Sequence, residues 1–169
     1  MTDPALLPAA AFVVAAPLLL GAAVRDLAVR IIPNEIALGV ALVGGLARVA
    51  DGRLASAVIA SAGVFVVTLL LWCRGWLGGG DVKLLAASVL LVSPAHVPGM
   101  LLTTAMAGSV LALLHLAMRA LPARPIALAA GAGLPRRIWR AERWRIGRNA
   151  PLPYACAICA GVLLTLGGT

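Results

Sequence analysis

A chain of 169 residues that is 62% hydrophobic and only 12% charged, with a mean hydropathy of +1.03, holds more apolar surface than a soluble core of this size can bury. Its formal charge of +8 does not mark a nucleic-acid binder, because aromatics are only 4% of the chain and the basic residues flank apolar stretches instead of lining one solvated groove. The three cysteines, Cys73, Cys156 and Cys159, form an odd set in or beside apolar segments, which argues against a disulfide framework.

The first uncharged stretch, 4–24, is long enough to cross a bilayer. Asp3 precedes it, while Arg25 and Arg30 follow it. This is the reverse of a secretory signal and predicts a retained first span with its N-terminus outside. A polar junction with Arg25, Asp26 and Arg30 leads to Ile31-Ile32-Pro33-Asn34-Glu35, where Pro33 breaks one helix and starts the next. A second span is predicted over 34–49, a tight turn at 50–53 and a third span over 54–73. After Arg74 comes Gly75-Trp76-Leu77-Gly78-Gly79-Gly80-Asp81-Val82-Lys83.

From 84 to 118 no charged residue occurs, a run too long for one span, and Ser93-Pro94-Ala95-His96-Val97-Pro98-Gly99 divides it. The fourth span then begins near Asp81 and the fifth covers 98–118. Eight arginines fall within 119–148, a basic cytoplasmic or interfacial segment whose apolar insert at 125–135 is too short to cross. Ile138, Trp139, Trp144 and Ile146 lie among the arginines of 136–148, as in an amphipathic helix resting on anionic lipid; a solvated loop is the alternative. A sixth span covers 149–166.

The expectation is an all-α polytopic membrane protein, one domain over 1–169 with about six transmembrane helices and both termini outside. Twelve basic residues then lie on the inner side, and only Arg48 and Arg53 on the outer.

That topology places Asp26 and Asp81 together near the cytoplasmic face. An ionisable side chain at membrane depth is costly and usually functional. Two carboxylates can hydrolyse a peptide bond when one is ionised and the other protonated, a state that sharing one site promotes. The ionised acid takes a proton from the attacking water; the other donates to the carbonyl oxygen and then to the leaving amine. Gly78, Gly79 and Gly80 strip side chains from the approach to Asp81, leaving room for an extended substrate. Lys83 either meets a substrate carboxylate or marks the membrane edge.

Each acid alone has a plainer reading, Asp81 as a helix N-cap and Asp26 as a juxtamembrane charge. Glu35 suits a helix start, Asp51 an outer turn, and Asp3 a chain end. His96 and His115, without H-E-x-x-H, make no zinc ligand set, and Ser109 has no nearby base. Cys156 and Cys159 form C-A-I-C within a span, where packing outweighs redox or metal binding. No metal or cofactor is expected.

Two stretches resemble the signature regions of the bacterial type IV prepilin peptidases, intramembrane aspartyl proteases with a G-x-G-D motif. They are R-D-L-A-V-R-I-I-P-N at 25–34 and W-L-G-G-G-D-V-K-L-L at 76–85. Leu152-Pro153-Tyr154-Ala155 is similar to the opening of the family's last helix, with Ala155 where glycine is usual. The brevity of the chain is similar to the short TadV or CpaA type that serves Flp-type pili.

The resemblance implies catalytic Asp26 and Asp81, with Pro33, Asn34, Gly78, Gly79, Gly80 and Lys83 shaping the site or binding substrate. It implies a prepilin or pseudopilin substrate with a short basic leader, cut after a glycine at the inner face of the bacterial cytoplasmic membrane. Lipid and pilus-assembly components are the other expected partners. The cysteine-rich segment of longer members is missing, so their N-methyltransferase activity is not expected. A pilus scaffold that does not use the acids, and a proton-coupled carrier, are the competing readings.

Overall fold

In the computed structural model, residues 6–120, 133–148 and 151–168 are described. They form seven α-helices: α1 (Leu6–Val29), α2 (Asn34–Ala50), α3 (Leu54–Cys73), α4 (Gly79–Val89), α5 (Val97–Ala120), α6 (Leu134–Gly147) and α7 (Tyr154–Gly167). A 3-10 turn, Pro94–His96, precedes α5. The start of the first predicted span, the insert at 125–132 and the predicted beginning of the last span at Asn149 lie outside the described residues.

Three segments, Ala10–Val29, Leu54–Cys73 and Pro94–Ala120, are long and apolar enough to cross a membrane. With helix on every side and no strand among the described residues, this is the framework of a polytopic membrane protein. α3 makes the lipid-facing character plain. It buries only Ala57 and Thr68, while Ile59, Val66, Val67 and Leu70 are exposed. Exposed aliphatic surface of that extent is costly in water and costs nothing against lipid tails.

The short helices fill the interior. At 1.5 Å per residue, the 11 residues of α4 span roughly 16 Å, about half a hydrocarbon core. All of Val82 and Leu84–Val89 are nevertheless buried. α2 and α3 enclose α4 on one side, α7 lies against it on another, and α5 packs most extensively on α7. Leu19, Val40, Leu84, Met100 and Ile158, from five different helices, meet in this core.

Close approach needs small residues at two crossings. A Cβ on Gly44 of α2 would sit 2.6 Å from the Leu90 carbonyl carbon, and Gly161 of α7 lies against the Thr104 backbone of α5. Several polar groups within the bundle find partners, while Ser88 Oγ and Thr104 Oγ1 have none among the described residues. Ser61 donates to the Ala86 carbonyl at 2.8 Å, Thr68 to that of Val64 at 2.7 Å, and buried Arg48 pairs with Asp51 at 2.9 Å.

Two boundaries differ from the sequence expectation. α1 continues to Val29 instead of ending at Val24, so Asp26 is a helical residue and not a junction residue. The extension is held from outside: Arg145 donates to the carbonyls of Leu27 and Ala28, groups that a helix C-terminus leaves without partners. α1 stops at Arg30, which adopts the left-handed conformation with φ 58°. At the other end of the chain, Pro151 and Pro153 delay the last helix until Tyr154.

The bundle has two distinct ends. Arg53, after α2, bonds Ser93, before α5, at 3.2 Å. The α1–α2 and α3–α4 junctions, the start of α7 and the arginine-rich α6 gather at the opposite end.

Candidate active site

Asp26 sits in the last turns of α1 and is only 7% exposed. Its Oδ2 accepts the Ala155 backbone N–H at 3.3 Å, one of the donors that the first turn of α7 leaves free. The N-terminal end of one helix thus meets a carboxylate near the C-terminal end of another, an arrangement the α7 dipole favours.

Asp81 is the third residue of α4. Gly78, not Asp81, occupies the N-cap, and the Asp81 carboxylate turns back beside it. The N-cap role open to Asp81 from its sequence is therefore replaced by a role one turn inside. Each glycine of the triplet has its own steric reason. A Cβ on Gly78 would meet Asp81 Oδ2 at 2.7 Å, one on Gly79 would meet the Trp72 indole nitrogen at 3.3 Å, and one on Gly80 would meet Ile32 at 3.2 Å. The last contact seats the start of α4 on the chain leading into α2. It thereby joins the two stretches that carry the aspartates.

Both carboxylates line one cavity of about 630 Å³, and they are near enough for the charge of Asp26 to act on Asp81. Arg30, Leu71, the 75–78 loop, Pro151, Leu152 and Tyr154 complete the wall. Acids and one guanidinium on an otherwise apolar surface form a site for an extended peptide that keeps part of its apolar character. Among the described residues no three His, Cys, Asp or Glu side chains cluster as a metal site would require.

Of the other residues singled out from sequence, Gly78 lines the cavity while Gly79 and Gly80 support α4 behind it. Pro33 caps α2. Lys83 and Asn34 are exposed and are not in the cavity wall; Lys83 Nζ donates to Asn34 Oδ1 at 3.0 Å, a second tie between the two stretches. Cys159 is buried and the Cys156 thiol lies 3.8 Å from the Ala23 carbonyl, as packing residues do.

Sequence reasoning missed Ala155 as a partner of Asp26, and it missed Glu142. Glu142 is 5% exposed and meets two guanidiniums, Arg30 and Arg145, and the His115 ring. The signal was present, since Glu142 is the one acid among the eight arginines of 119–148.

Gly78→Ala tests the tightness of this site. The added methyl displaces the Asp81 carboxylate, so cleavage should fall by about tenfold, the cost of about 1.4 kcal/mol in the transition state. The thermal midpoint should stay near that of the parent, because a carboxylate can rotate where a backbone cannot. Undiminished cleavage would show that Asp81 need not hold this position.

Residues 13–113, more than half of the chain, match the family model described as the type IV leader peptidase family. The match holds both aspartates and leaves α6 and α7 beyond it. No curated protein and no solved structure matches the chain.

Proposed function

We propose, for a chain that belongs to the type IV leader peptidase family and is therefore an intramembrane aspartic endopeptidase acting on prepilin-type substrates, that Asp26 and Asp81 are its two catalytic residues. The observation that carries this assignment is the meeting of both carboxylates, 55 positions apart in sequence, on one cavity wall.

The chemistry needs one carboxylate ionised and one protonated, and two acids that feel one another's charge favour that division. The ionised group takes a proton from water as the oxygen attacks the scissile carbonyl carbon. The protonated group donates to the carbonyl oxygen, and the amine then leaves with a proton from the pair. Apolar walls at Leu71 and Leu152 limit competing water, and the glycine loop at 75–78 leaves room for the substrate backbone.

The finer reading concerns substrate and orientation. Six spans with both termini outside put the cavity at the cytoplasmic face of the bacterial inner membrane, the basic side under the positive-inside rule. A prepilin or pseudopilin presents its short basic leader there and is cut after a glycine at the start of its apolar helix. An Flp-type pilin, processed as by the TadV or CpaA type and without N-methylation of the product, is the substrate of this reading. α6 rests on anionic headgroups, with Arg136, Arg137 and Arg140 exposed beside the exposed Trp139 and Trp144.

Lys83 or Arg30 meets an acidic residue near the start of the mature pilin. Reversing the charge at either should slow processing severalfold, measured as the fraction of substrate converted; unchanged processing by both variants contradicts that contact.

Cleavage of a co-expressed Flp-type prepilin in membranes, with the N-terminus of the product sequenced, tests the substrate reading. A single new terminus after the leader glycine, unmethylated, is the expected product. Cleavage elsewhere, or only of pilins outside the Flp type, contradicts it.

A further inference from the structure

Glu142 lies outside the part of the chain that matches the family, yet it is the most heavily paired acid among the described residues. Its Oε1 meets Arg30 Nη2 and lies 3.0 Å from His115 Nε2, and its Oε2 lies 3.4 Å from Arg145 Nη1. These contacts join α6 to α5 and to the end of α1. Two guanidiniums converging on one half-enclosed place repel unless an anion stands between them, and Glu142 is that anion.

Arg30 is the partner with a second face. It lines the cavity that holds both aspartates, its backbone is in the left-handed region, and Glu142 is bonded to its Nη2 alone. Its Nε and Nη1 are buried and have no hydrogen-bond partner among the described residues. Buried N–H groups without acceptors are costly, so Glu142 is the group that holds this guanidinium in the wall. A peptide substrate brings carbonyl oxygens to the same wall.

We infer that Glu142 is a positioning residue for the peptidase reaction: it fixes the Arg30 guanidinium in the wall of the catalytic cavity, where the cation meets an oxygen of the substrate. This rests on the reading of that cavity as the place of cleavage. Arg145 completes the clamp by holding the carbonyls of Leu27 and Ala28, next to Asp26, with the same helix that carries Glu142. α6 is thereby a part of the active site's frame as well as a surface helix.

The test compares the full-length protein with E142Q, R30Q, R30K and the R30Q/E142Q double variant, each reconstituted in lipid and assayed on a prepilin-type substrate alongside its thermal midpoint. E142Q should lower kcat/KM by about tenfold or more, the weight of a charge-assisted hydrogen bond. In the R30Q background the same change should cost nothing further, because Glu142 acts through Arg30. R30K keeps a cation for Glu142 but lacks the guanidinium's donors. It should keep the parent's thermal midpoint and still lose cleavage as R30Q does, which separates positioning from stability.

Parent-like cleavage by E142Q overturns the inference, as does an equal loss from E142Q with and without Arg30, or full activity in R30K. Where E142Q does not accumulate, R30K decides. A parent chain that cleaves no prepilin-type substrate counts against the proposed substrate reading instead, so the two failures are distinguishable.

Discussion

Asp81→Asn is expected to cut prepilin cleavage by a factor on the order of 10²–10⁴, the usual weight of a general acid or base, with the protein still folded. Asparagine keeps the size of the side chain beside Gly78, so α4 keeps its first turn. What it loses is the ability to take or give a proton. Asp26→Asn should fall equally far for the same reason, since an amide oxygen still accepts the Ala155 N–H that ties α1 to α7. Equal expression and an unchanged thermal midpoint in both variants would show that the loss is chemical. A large fall in stability with either variant would instead make that carboxylate a structural anchor.

Gly161→Val should have the largest effect on stability, about 3 kcal/mol or more. Even the Cβ of a new side chain would fall on the backbone nitrogen and Cα of Thr104, at 2.6 Å from each. Backbone cannot rotate out of the way, so α5 and α7 must part along the most extensive helix contact in the bundle. The Thr103 hydroxyl, 3.1 Å from the Gly161 carbonyl, goes with that contact. Activity should follow stability here, because moving α7 withdraws Ala155 from Asp26. Gly63→Val is the control. Nothing lies within 4 Å of that position on the exposed face of α3, and a thermal midpoint close to the parent's is expected. Equal tolerance of both substitutions, read by thermal unfolding in detergent, would contradict the packing described.

The aspartates were legible because their cost is local: an acid beside a long apolar run signals itself whatever the fold does. Pro33 likewise announced the start of α2 through the donor it lacks. The extent of α1 was not legible, since helix beyond Arg25 is held by Arg145, more than a hundred residues away, and a window of sequence holds no trace of that. The same is true of α4. Its apolar run reads as a span of ordinary length, whereas its 11 residues are shorter than a bilayer core and owe their burial to three neighbouring helices. Arg30 was singled out for its charge, but its pairing with Glu142 depends on where α6 docks. Glu142 itself stood out only by sign among the arginines. Pair partners across a bundle come from tertiary packing, and single-residue chemistry shows at most that a partner is needed.

The central claim is that Asp26 and Asp81 act as one catalytic unit. It is tested most directly by the residual cleavage of a co-expressed prepilin in membranes holding equal amounts of the parent, Asp26→Asn, Asp81→Asn and the double variant. Groups that work as a unit are not additive, so each single variant should fall to the level of the double. Processing that survives in either single variant, or losses that multiply in the double, would contradict a shared two-carboxylate mechanism.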